Sequence, residues 1–177
     1  STMYPAIFYH AGLAWNHGKT SHVHLPGILD RYLFQDKTGQ LSKTLFGLGN
    51  ADYIIERPLI NCSPTFHFLF GTEKKLATTL GDTEPQLLDR GQRHLEETRT
   101  WLEAAHPQCP DADTICQELN LAIDLGLLGL QRARGFQSAG QVPELNEKRT
   151  ELANRHRNIW LQHARLGGVE ESIDYIK

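Results

Sequence analysis

Long apolar runs are missing from this chain, and so is any block of like charge. No stretch approaches the roughly 18 residues that a membrane-crossing helix needs. The opening residues lack the basic, apolar, small-residue order of a secretory leader. A soluble domain without a membrane partner is therefore expected. The 18 Lys and Arg against 21 Asp and Glu give a formal charge of −3, with both signs interspersed along the later part. No basic stripe is there to meet phosphates, so nucleic acid is not an expected partner. Cysteine is scarce as well. Cys62, Cys109 and Cys116 are an odd count without a Cys-x-x-Cys pair, which argues against a disulfide framework or a zinc knuckle and for reduced, partly buried thiols. The thiols favour a reducing cytoplasm over secretion without fixing the compartment.

Catalytic motifs are absent too. There is no Gly-x-Ser-x-Gly elbow, no phosphate-cradling glycine loop and no His-Glu-x-x-His. The paired carboxylates Glu96-Glu97 and Glu170-Glu171 are helix neighbours that point about 100° apart, so neither pair converges on one substrate atom. Solvated helix surface accounts for them. No catalytic residue, cofactor or metal is assigned.

What the chain does have is helical periodicity over a 40% apolar composition. The first part, to Gly81, carries most of the phenylalanines and tyrosines, and its turn residues delimit short helices over 6–15, 26–34 and 41–55, with another after Pro64. Tyr53-Ile54-Ile55 and Leu59-Ile60 are the only candidate extended pieces, too short for a sheet. From Asp82 the pattern sharpens. Asp82 or Thr83 can cap, Pro85 suits a first turn, and Leu88, Gly91, Leu95, Thr98 and Leu102 recur at helical spacing. A second long helix is expected from about 111 to 136, with a broad apolar arc of Ile115, Leu119, Ile123, Leu127 and Leu130 and a stripe of small residues, Ala122, Gly126, Gly129 and Ala133, that admits a close neighbour. A third stripe runs through Leu145, Leu152, His156, Ile159, His163 and Leu166, and Val169, Ile173 and Ile176 share one face of a last short helix. The fold class is all-α: three long antiparallel helices in a bundle, with shorter N-terminal helices packed against it.

Nine histidines raise the question of a metal. His17, His22 and His24 share one loop with Asp30 close behind, but no familiar ligand spacing is present, and a polar loop is the better reading. His156 and His163 lie about 10 Å apart along a helix and do not chelate one ion. Trp15, Trp101 and Trp160 read first as packing residues. Trp15 and Trp101 are kept as candidate platforms for a carbohydrate.

Several fragments together resemble a known family. Ala11-Gly12-Leu13-Ala14-Trp15-Asn16, followed by Leu25-Pro26-Gly27-Ile28-Leu29-Asp30-Arg31, Leu33-Phe34-Gln35-Asp36 and Leu48-Gly49-Asn50, is similar to the end of the catalytic region in family 20 glycoside hydrolases, the β-N-acetylhexosaminidases. The closing Trp160-Leu161-Gln162-His163-Ala164-Arg165-Leu166-Gly167-Gly168-Val169-Glu170-Glu171-Ser172 resembles the tail of bacterial members. The middle is matched by helical character alone. The resemblance implies that residues 1–25 correspond to the last helix of a (β/α)₈ barrel and that 26–177 form a helical C-terminal domain. Chemistry in that family uses an adjacent Asp-Glu pair, and this sequence has no Asp-Glu dipeptide. The expectation is a non-catalytic module supporting a catalytic barrel of the same polypeptide or a subunit contact, with self-association if the first helix stays uncovered. The alternative is an independent helical binding protein for a carbohydrate or protein ligand. A metal-dependent enzyme built on the histidine loop ranks last.

Overall fold

The computed structural model describes residues 3–15, 24–59, 62–140, 145–164 and 166–176, apart from the side chains of Trp15 and His163. Among them the order is α1 (Tyr4–Trp15), α2 (Leu25–Ile28), a π-helical stretch (Leu29–Phe34), α3 (Gln40–Ile54), α4 (Pro64–Phe70), α5 (Glu73–Leu80), α6 (Pro85–Glu103), α7 (Ala112–Ala139), α8 (Asn146–His163) and α9 (Val169–Ile176). The fold is all-α. No strand occurs among the described residues, and an isolated bridge joins Leu59 and Cys62.

Punctuation in the sequence explains most of these limits. Pro85 opens α6, where its missing N–H costs nothing. Gly140 ends α7 at φ 67°, in the left-handed region that a side chain would resist. Two expectations need correction, and one helix is added to them. Neither Asp82 nor Thr83 caps α6, whose N-cap is Glu84 without a side-chain bond. Asp82 pairs instead with Arg57, and Thr83 Oγ1 accepts from Arg57 Nε at 2.7 Å while donating to Leu80 O, so both side chains tie this junction to the segment after α3. Tyr53 and Ile54 are not extended but form the last turn of α3, with Ile55 as its C-cap. A helix the spacing did not show, α5, is started by Thr72, whose hydroxyl accepts from Lys75 N at 3.3 Å.

Packing divides into two apolar clusters that share α7. Leu119, Ile123 and Leu130 of α7 join Leu29, Phe34, Leu41, Leu45, Phe68, Leu88 and Leu95 in the larger one. Leu121 and Leu128, on another side of α7, join Leu152, Ile159, Val169, Ile173 and Ile176 in the smaller one. The small-residue stripe on α7 serves two neighbours rather than one. A Cβ on Gly129 would meet the Thr65 carbonyl oxygen at 2.7 Å, and one on Gly126 would meet Leu95 Cδ1 at 2.9 Å. The glycines thus bring α4 and α6 close on adjacent sides. Helix α3 packs on α6 and α4 on α7, so the shorter helices are part of the main core.

Candidate functional site

A concave cleft of about 940 Å³ is walled by the 24–39 segment, by α3 and by α6. Its inner end is built by two buried carboxylates that hold the start of α3. A helix begins with amides that have no partner inside the helix, and Gly39, the N-cap residue, has no side chain to offer them. Asp36 supplies the missing acceptor. Its Oδ2 accepts from Leu41 N at 2.9 Å, and its Oδ1 accepts from Thr38 N at 2.9 Å, Thr38 Oγ1 at 2.7 Å and His106 N at 3.2 Å. Asp30 accepts from Ser42 N at 3.0 Å and from Ser42 Oγ at 2.5 Å.

The two acids sit in opposite electrostatic states. Burial alone would raise Asp36, but donors from Thr38, Leu41 and His106 outweigh it and hold the carboxyl below the ordinary range. At Asp30 burial wins over the Ser42 bonds, and the neighbouring Asp36 charge adds to it, so that carboxyl is raised. Because every oxygen of this pair is already engaged, the pair positions backbone rather than presenting free acid or base to the cleft.

The outer wall comes from α6 and α3. Trp101 is half-buried there, with Lys43 Nζ 4.0 Å from its ring centroid. His94 meets the indole edge-on at 6.1 Å and donates from Nε2 to the Gly47 carbonyl at 2.8 Å. Gly47 is required: a Cβ would fall 2.8 Å from Trp101 Cζ3 and 3.0 Å from Thr98 Oγ1. Arg31, Gln35, Lys37 and Asn50 line the same space with exposed side chains.

The residues singled out from sequence are dispersed. Trp101 lies in the cleft, whereas the side chain of Trp15 is outside the described residues. His17 and His22 also lie outside them. His24 caps α2, its Nδ1 accepting from Gly27 N at 3.3 Å, and Asp30 binds Ser42 rather than a histidine. His156 bonds to Ser172 Oγ at 2.8 Å, and the described residues contain no cluster of His, Cys, Asp and Glu able to hold a metal ion. Glu96 accepts from Gln92 at 2.7 Å and Glu170 pairs with Arg157, both on exposed helix surface. All three cysteines are free and half-buried. Asp36 escaped the sequence reading, although its signal was present: an Asp two residues before Thr-Gly, at a helix start, is a turn and capping pattern. Comparison with protein-family models, curated proteins and solved structures gives no match to this chain.

Proposed function

We propose that this chain is a non-catalytic C-terminal helical module of a β-N-acetylhexosaminidase-like glycoside hydrolase, supporting a catalytic barrel or a contact between subunits. The observation that carries this is the mismatch between the composition of α1 and its burial. Its twelve residues, YPAIFYHAGLAW, include no Asp, Glu, Lys or Arg, a pattern belonging to a helix covered on all sides. Tyr4 and Phe8 pack on the main core, Tyr4 edge-on to Phe34 at 6.2 Å. Ile7 and Tyr9 stay 55% and 44% exposed, and Met3 just before the helix 65%. Soluble monomers seldom leave such a face open. A barrel whose last helix is α1 would cover it.

In this reading residues 1–25 belong to the barrel and 26–177 to the extension, whose frame is a bundle of α6, α7 and α8 in antiparallel order. The resemblance at both ends and the lack of an Asp-Glu pair support it. The test is Ile7→Asp with Tyr9→Asp. In the 177-residue chain these exposed changes leave helicity and melting temperature essentially unchanged. In the full-length product of the gene they lower hexosaminidase activity or stability severalfold, and undiminished activity there would refute the docking role.

A further inference from the structure

We infer that the cleft between the 24–39 segment, α3 and α6 is a binding subsite for an acidic saccharide, with a pyranose ring on Trp101 and its carboxylate met by Lys37 and Lys43. Three observations carry this independently of the accessory-module reading.

First, Trp101 is held in place before any ligand arrives. Its edge rests on Gly47, where even a methyl group would clash at 2.8 Å, and His94, anchored to the Gly47 carbonyl, closes off another side. A fixed aromatic face loses little freedom when a ring stacks on it. Second, that face is covered by an exposed lysine, with Nζ 4.0 Å from the ring centroid. A flexible ammonium is a removable cover, and an incoming anion draws it off the ring into an ion pair. Third, cations outnumber carboxylates in the lining, Arg31, Lys37 and Lys43 against Asp30 and Asp36. Neither Lys37 nor Lys43 has a carboxylate partner among the described residues, and Asp30 and Asp36 are buried, with their oxygens bonded to Ser42, Thr38, Leu41 and His106.

The rim points to a sugar rather than a flat aromatic acid. Asn50 and Gln35 offer amide donors and acceptors suited to hydroxyl groups, and the space, about 940 Å³, exceeds a single ring. One indole face suits the C–H side of a pyranose.

The test is calorimetric titration of the intact chain with a tetrasaccharide of alternating glucuronic acid and N-acetylglucosamine, set against the uncharged N-acetylglucosamine tetramer. Binding of the acidic oligomer, weakened by salt, is expected. Lys43→Gln and Lys37→Gln each lower affinity by about tenfold, as the loss of a charge-assisted hydrogen bond implies. Lys148→Gln, on α8 away from the cleft, leaves it unchanged. Trp101→Leu removes binding, with circular dichroism to check folding. The inference is overturned by equal affinity for the uncharged tetramer, by no binding of either, or by an equal loss in Lys148→Gln.

Discussion

Asp36, 3% exposed, joins three parts of the chain through one carboxylate: the turn at Thr38, the first turn of α3 and the His106 amide beyond α6. Removing it strands the buried Leu41 amide, a loss of about 1–3 kcal/mol, and the half-buried amides of Thr38 and His106 at a smaller cost. Asp36→Ala should therefore cost about 2–4 kcal/mol in urea unfolding, and Asp30→Asn clearly less, since an amide oxygen still accepts from Ser42. The pH dependence of the two runs in opposite directions. Asp36 is held below its ordinary 3.8, so its stabilisation is present above that value and is lost as pH falls through the folded-state pKa. Asp30 is raised above 3.8, so its ionisation weakens the fold at neutral pH, and that penalty disappears on acidification.

A second residue-scale effect sits at the other end of the molecule. Burial pushes His156 below its ordinary 6.5, and His67 is lowered by burial and by Lys75. Below about pH 6.5 the unfolded chain takes up protons that the native state refuses, so stability falls until the depressed folded-state values are passed. His156 Nε2 meets Ser172 Oγ, so amide protection factors in α9, taken relative to the intrinsic exchange rate at each pH, should fall as pH drops from 7 toward 5.5. His156→Gln should remove the His156 part of that response.

At the scale of elements, glycines separate packing from propensity. A Cβ at Gly129 would lie 2.7 Å from a backbone oxygen of α4, which cannot step aside, whereas one at Gly49 would meet nothing within 4 Å. Both are helical. Gly129→Ala should destabilise by about 1–2 kcal/mol, overpacking outweighing propensity, and Gly49→Ala should stabilise by about 0.5–1 kcal/mol. Calorimetric melting of the pair checks both. The long helices were legible because their signals are local: Pro85 and Gly140 mark ends, and Leu88, Leu95 and Leu102 repeat on one face. Less was legible where tertiary contacts decide. Thr83 reads as a cap until Arg57 reaches it across 26 positions, and the choice between helix and extended chain at Tyr53-Ile54-Ile55 falls to the helix once Ile55 is seen buried against Gly91. The π-helical turn at Leu29–Phe34 has no compositional signature of its own. The cleft was legible only through Trp101, because the Asp30–Ser42 bond and the Asp36–His106 bond, 12 and 70 positions apart, depend on the completed fold.

For the whole molecule, α7 is the shared wall of two cores, and two features of functional interest stand out: α1 with its open apolar side, and the cleft that α6 closes against the 24–39 segment and α3. The rest reads as a frame that fixes them. Arg99 and Arg155 converge on Asp124 at 2.6 and 2.5 Å, linking α6, α7 and α8 with half-exposed ion pairs that set orientation more than stability. Under the proposal that the chain is a non-catalytic module, this frame needs no chemistry of its own. The most direct measurement is hydrolysis of a chromogenic N-acetyl-β-glucosaminide by the 177 residues alone and by the full-length gene product. Activity confined to the longer protein is the predicted result; turnover by the 177 residues alone would contradict it.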